Sequence, residues 1–508
     1  MCIRDSMVIH DEHEKAQRAA KIYLAIAVLG GMVMLMGLLM LYAYGGTLNI
    51  NELNSAVQNL PNPLKYTIGV LILFGFGAKA GMFPLHIWLP AAHPVAPAPA
   101  SALLSGILTK AGIFGALVLC STIFFHDKQW GILLLLLGVV TMFVGAVLAV
   151  LSIDLKRTLA CSSMSQIGFI LVGAAMQCIL AEHNSLAVWG TVLHMVNHSL
   201  IKLVLFMCAG VVYINLHTLN LNDIRGFGRD KPFFQFFFAM GALGIMGIPF
   251  WNGYISKTLL HESLLEYLVN LPLGLEFAVV KTAEVLFTVT GGITIAYMLK
   301  LYVAIFVEKP RTAGAVKTKY LALSSKFAIG IPAVLLPIMG LFPHQTMEKL
   351  AILAQDFMHG HLPAHSVHYF AWVNLKGAII SLAIGLFVYF CLVRTLLMKQ
   401  RDGVKVYVDR LSAQLSLEII IYRPLIKVLV FLGTLLARII HSVSEGVLPK
   451  LLSRELKLRK VVPPTDDYFG TYEVKKIKEE MVPQANLSYS FLGFSLGVIV
   501  VLSFIWLS

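Results

Sequence analysis

The chain has 508 residues, of which 58% are hydrophobic and only 13% charged, and its formal net charge is +13. A soluble domain carries about 25% charged residues, and disorder needs low hydrophobicity with high charge, so both classes are excluded. Nucleic-acid binding is not indicated either. Lys and Arg gather between apolar runs and in one stretch near the C-terminus, as they do on the cytoplasmic side of membrane proteins.

The head, residues 1–20, is polar and of mixed charge and lacks the form of a cleavable signal peptide. Met1–Ser6 differ in character from the residues after them, and a second Met stands at position 7, so 1–6 read as an artefact. A bilayer crossing takes roughly 20 apolar residues. Such runs lie near 22–44, 66–90, 100–125, 131–153, 158–180, 185–214, 232–268, 283–307, 327–343, 372–396 and 485–507. The expected fold is an all-α, polytopic transmembrane helical bundle of about eleven spans. The run 413–445 is apolar too, but Glu418, Arg423, Lys427 and Arg438 interrupt it. It reads as an amphipathic lateral helix within a segment 399–484, ahead of a C-terminal anchor at 485–508.

Orientation follows from the basic residues. With the N-terminal head in the cytoplasm of a cell (plasma) membrane, alternation puts the loops around Lys156–Arg157, Arg225–Lys231 and Lys309–Lys326 on the cytoplasmic side. Segment 399–484 falls there too. Asp127, Glu182, Glu262, Glu266, Glu276 and Glu284 fall on the opposite side. Of the six cysteines, Cys120, Cys161, Cys178, Cys208 and Cys391 lie in or at the edge of spans, and Cys2 lies in the head; none is spaced C-x-x-C. They read as small apolar residues, not as a disulfide framework or an iron–sulfur or zinc site.

A charge in hydrocarbon persists mainly where it faces a wet interior, a partner or a pathway. Lys79 and Lys110 lie well inside their spans. His194, His198 and Lys202 stand at i, i+4, i+8, on one helical face, and Lys257 sits late in a long interrupted span. Groups of this kind joined by water are what a proton path needs, since a buried lysine can release its proton near neutrality and histidine titrates there unaided. Each has a plainer reading: a lysine can snorkel, and a histidine can serve only as an interhelical hydrogen bonder. His86 and His93, beside Pro84, Pro90 and Pro94, read as structural. His194 and His198 have metal-ligand spacing, but no carboxylate accompanies them, so no metal is expected.

Two spans carry helix breakers in matching style. One holds Gly75, Gly77, Lys79, Gly81 and Pro84; the other runs through Gly241, Gly244, Gly247 and Pro249 to Lys257. Such a pair points to a transporter's ion site, because backbone freed at a break must be satisfied by protein or water.

The run GAKAGMFPLHIWLPAAHPVAPAPASALLSGILTKAGIFG (77–115) resembles the signature of the antiporter-like subunits of respiratory complex I, membrane-bound group 4 hydrogenases and Mrp-type sodium/proton antiporters. DLKRTLACSSMSQIGF (154–169), HMVNHSLIKLVLFMCAG (194–210) and GIPFWNGYISKTLLHE (247–262) resemble the family's later motifs in the same order. The resemblance implies two inverted five-helix repeats, each with a broken helix. Lys79 then matches the broken-helix lysine of the first repeat and Lys110 the position leading to the centre. Lys156, His194, His198 and Lys202 match the central hydrophilic axis, and Lys257 the broken-helix residue of the second repeat. The lysine at 257 and the tail resemble the distal complex I subunit. One departure stands out: no intramembrane acid precedes Lys79, so the chain is expected to be truncated at its N-terminus. The implied organisation is a head (1–20), a remnant of the first repeat (21–126), a second repeat (127–307), further spans (308–398), the lateral segment and the anchor.

The resemblance implies a proton-translocating subunit of a redox-driven complex, with other membrane and redox subunits as partners and no cofactor of its own. An Mrp-type antiporter subunit exchanging sodium for protons uses the same lysines, and a membrane-arm scaffold without transport is the third reading. Nothing marks an active site for chemistry: no nucleophile elbow, HExxH or phosphate loop is present.

Overall fold

The computed structural model describes residues 13–310, 320–363, 366–401 and 404–409, with isolated helical positions between 424 and 438. The first helix, α1 (Glu14–Gly45), is followed by α2 (Asn62–Ala80), α3 (Trp88–Val95) and α4 (Ala98–Leu103). A π-helical turn, Leu104–Leu108, joins α4 to α5 (Thr109–Ser121). Next come α6 (Lys128–Leu151), α7 (Leu155–Leu180) and α8 (Ser185–Leu216), then α9 (Pro232–Met246), α10 (Asn252–Val269) and α11 (Leu275–Tyr302). The chain continues through α12 (Leu323–Leu341), α13 (Pro343–Gln355) and α14 (Trp372–Phe387). Among the described residues, nine helices are long and apolar enough to cross a membrane, and α9 is a shorter apolar helix. The chain is therefore a polytopic helical membrane protein.

Burial grades outward from α7, which is enclosed along almost its whole length. The outer faces of α1, α12 and α14 expose Met32, Ile331, Trp372 and Phe387, as surfaces bathed in acyl chains do. In lipid, close helix contact depends on small residues rather than on hydrophobic drive, and α6 meets α7 in that way. A Cβ on Gly168 would lie 2.3 Å from the Met142 backbone nitrogen, and one on Gly145 would lie 2.5 Å from that of Ser165.

Both expected breaks are present. Gly81, at φ +79°, ends α2, and its N–H donates 2.9 Å to the Gly77 carbonyl. Gly247, at φ +74°, ends α9, with its N–H 3.1 Å from the Gly244 carbonyl. Only glycine holds this left-handed conformation without cost, so the breakers seen in the sequence do what their chemistry dictates.

Where the lateral segment was expected to begin, the chain instead makes a hairpin, β1 (Met398–Arg401) antiparallel to β2 (Val404–Tyr407). Met398, Val406 and Tyr407 are buried, and Glu308 anchors the region. It accepts from Arg225 Nε at 2.5 Å, Arg394 at 2.7 Å and the Tyr407 hydroxyl at 3.1 Å. The strands are too short for a period of two to show within a polar stretch. Residues 1–420 form one compact unit and 421–508 a second. In the second, Pro424, Lys427, Val428, Phe431, Thr434, Leu435 and Arg438 are helical. The remainder of the lateral segment and the span at 485–507 lie outside the described residues.

Candidate functional site

The π turn before α5 places Lys110 so that its Nζ donates 2.7 Å to the Ser105 carbonyl. The same ammonium contacts Nδ1 of His198 on α8, and both side chains are buried. His194, His198 and Lys202 all face inward. His194 bridges two helices: Nδ1 lies 2.9 Å from the Ser256 hydroxyl on α10 and Nε2 lies 3.1 Å from Oε1 of Gln166 on α7. When Nε2 carries the proton it donates to that carbonyl oxygen, and the serine hydroxyl can then donate to Nδ1. If the ring takes up a second proton, the hydroxyl can turn to accept, so the site tolerates either charge state. Lys202 donates 2.8 Å to the Leu159 carbonyl and contacts the Ser162 hydroxyl.

Lys257 sits at the second break. Its Nζ donates 2.7 Å to the Ile245 carbonyl, one of those freed where α9 stops. It adjoins a cavity of about 60 Å³ that His261, Phe287 and Asn374 help to line, and it stands 5.1 Å from the centre of the Phe169 ring. The groups met in order are thus Lys110, His198, His194 one turn away, Ser256, and Lys257 as the next residue. The partners on α7, namely Leu159, Ser162, Gln166 and Phe169, fall at intervals of three and four, on one helical face.

Two predicted residues stand apart. Lys156 is buried, but it caps backbone, donating 2.7 Å to the Ala96 carbonyl at the end of α3 with Tyr213 beside it. Lys79, expected inside its span among buried groups, is exposed on the last turn of α2, between buried Ala78 and Ala80, and meets none of the other six. Its depth along the span was legible, but the direction it faces is set by tertiary packing.

Several polar residues of the site escaped the sequence reading. Asn197 and Asn252 pair reciprocally, Asn252 Nδ2 donating to Asn197 Oδ1 at 3.0 Å and Asn197 Nδ2 to the Asn252 carbonyl at 2.8 Å. Asn197 also donates 3.0 Å to Ser256, fixing α10 against α8. Lys300 on α11 reaches three carbonyls at the end of α6: Ala149 at 3.0 Å, Val150 at 2.7 Å and Ser152 at 2.6 Å. A lysine in an apolar span is itself a signal, and Lys300 could have been found by it. Uncharged Gln166, Asn197 and Ser256 carry a weaker one.

At the margins of the bundle, Asp127 caps α6 by accepting from the Trp130 amide at 3.1 Å, and it takes the Tyr66 hydroxyl at 2.8 Å and Lys65 at 3.2 Å. Burial pushes its carboxyl up, but those three donors outweigh it and hold it below the usual range. Burial raises the Asp154 carboxyl, at the N-terminus of α7, above that range.

A sequence model described as NADH:quinone oxidoreductase/Mrp antiporter, transmembrane, matches residues 6–282. Hydrogenase-4 component B of Escherichia coli is 31% identical over 359 residues, 69% of this chain and 53% of that protein. NAD(P)H-quinone oxidoreductase chain 4 2 of Thermosynechococcus vestitus is 30% identical over 363 residues, covering 70% and 65%. The chain thus spans little more than half the length of the hydrogenase component. Among solved structures, the Mrp complex from a Dietzia species shares the fold, with a TM-score of 0.60 at 20% identity over 72% of this chain and 71% of that one. That sequence model fits more than half of the chain, which therefore belongs to the NADH:quinone oxidoreductase/Mrp antiporter transmembrane family.

Proposed function

We propose that the chain is the proton-translocating membrane subunit of a redox-driven complex and carries no redox centre itself. One observation supports this most: a line of buried titratable and hydroxyl groups runs from Lys110 through His198, His194 and Ser256 to Lys257 at a helix break. Buried polar atoms need partners, and His198 Nε2 and Gln166 Nε2 have none among the described protein groups. Water is the partner that would both satisfy them and carry protons between groups a helical turn apart. The names of the relatives place them in hydrogenase and quinone-reductase assemblies, which supports partnership with other membrane and redox subunits. The basic loops support a cytoplasmic N-terminal head, and the membrane proposed for the chain is the plasma membrane. Lys79 and Lys156 keep the roles that resemblance implies as part of this proposal: Lys79 at the broken helix of the first repeat, and Lys156 at the edge of the axis.

The test is Lys257→Ala in the complete complex, in membrane vesicles given its electron donor, with proton uptake followed by a pH-sensitive dye. Pumping should be abolished while the complex still assembles on a native gel. Normal pumping overturns the proposal. Pumping that stops without sodium transfers the chain to the sodium/proton antiporter reading.

A further inference from the structure

Two cavities adjoin Asn374 on α14. The inner one is the space of about 60 Å³ beside Lys257 and His261. The outer one, about 460 Å³, is lined by Glu262 and Glu266 of α10, His183 of the α7–α8 turn and His368 ahead of α14. It lies at the end of the bundle opposite the basic loops, and it has room for a cluster of waters. Asn374 lines both cavities. Its amide is held by Glu262 Oε1 at 2.5 Å and by the His368 carbonyl at 3.2 Å, so one side chain forms the shared wall.

The residues on α10 are ordered to match. Lys257 and His261 stand one turn apart on a single face, and Glu262 follows at the wall. His261 is fixed by its Nε2, 2.9 Å from Glu284 Oε1, and by the Phe287 ring, with centroids 5.6 Å apart. Its Nδ1 has no protein partner among the described residues.

We propose that the outer cavity is the exit vestibule of Lys257, with the Asn374–Glu262 contact as the barrier between the two spaces. This rests on the proton-translocation reading. A proton leaves Lys257 Nζ for water in the inner cavity, and Asn374 swings off Glu262. The carboxylate accepts the proton and then releases it to water in the vestibule. The Lys257 N–H bond breaks as an O–H bond forms on water, each later hand-off breaks one O–H bond as it forms the next, and the net result is one proton moved from Lys257 to the vestibule. The amide contact in the closed state prevents vestibule protons from returning to Lys257.

The complete complex in donor-energised vesicles tests this. Glu262→Gln keeps the shape and the hydrogen bond to Asn374 but cannot ionise, and it should cut pumping at least tenfold. Glu262→Asp should retain a substantial part. Asn374→Ala should let an established gradient decay several-fold faster once turnover is stopped. Glu276→Gln, on the first turn of α11 away from both cavities, serves as the control. If Lys257→Ala abolishes pumping while Glu262→Gln and Asn374→Ala match wild type, the vestibule is not the exit and the translocation reading stands. If Lys257→Ala pumps normally, the translocation reading itself fails. Should Glu262→Gln disturb assembly, the decay rate in Asn374→Ala decides alone: a wild-type rate overturns the barrier.

Discussion

Lys110 on α5 and His198 on α8 meet head to head, Nζ against Nδ1, with both side chains buried. Two positive charges in contact there would repel strongly. The pair can therefore hold at most one excess proton at a time, and a second could enter only after the first had left. The outward atom for that step is Nε2 of the same ring, which is buried without a protein partner among the described residues.

Lys110→Met and Lys110→Arg should be equally damaging. Methionine cannot carry a proton, and arginine cannot give one up. Donor-driven proton uptake in vesicles is expected to fall at least tenfold in both, while Lys110→His retains activity. Wild-type pumping in the arginine variant would show that only the charge of this residue is used.

Lys300 should be structural. Its ammonium satisfies three carbonyls at the end of α6, and a buried acceptor left unpaired costs about 1–3 kcal/mol. Lys300→Met regains the desolvation of a charge, so a net loss of about 3 kcal/mol is expected. Thermal unfolding in detergent should start at lower temperature, and hydrogen exchange should speed up at the last turn of α6. An unchanged exchange pattern combined with lost pumping would move Lys300 onto the proton path.

Asp127 should make stability depend on acid. Its carboxyl lies below the ordinary range in the folded chain, so its contribution is complete above the usual carboxylate pKa of about 4 and is lost as pH falls through the lower, folded value. Asp127→Asn keeps the cap on α6 but loses the Lys65 charge pair. Its unfolding midpoint should fall less than that of wild type as pH is lowered below about 4. Identical slopes would remove Asp127 as a source of acid sensitivity.

Much of this was legible in the sequence because the bilayer is a strict solvent. Apolar runs had to be spans, Gly81 and Gly247 had to end helices, and the i, i+4, i+8 spacing of His194, His198 and Lys202 had to make a stripe. What sequence spacing cannot give is the azimuth of each helix. Lys79 and Lys110 look alike as lysines inside apolar spans, yet one is exposed at the edge of the described bundle and the other is buried against His198. Asn197, Asn252 and Ser256 were missed for a related reason: an uncharged polar residue is cheap enough in a span to need no explanation until its partner is seen. The hairpin at 398–407 depends on Glu308, some ninety residues upstream, and no local pattern announces it.

The glycine contacts that seat α7 against α6 have a mechanical consequence. One face of α7 supplies the carbonyl of Leu159, the hydroxyl of Ser162, the amide of Gln166 and the ring of Phe169 to three different charge-bearing side chains. At about 100° per residue, a small turn of this helix would shift all four together. Gly138, Gly145 and Gly168 leave no clearance for such a turn, because backbone already meets backbone there. Helix α7 therefore acts as a fixed rail. Whatever rearranges during a cycle has to be the side chains that lean on it, or the helices α8 and α10 that carry them.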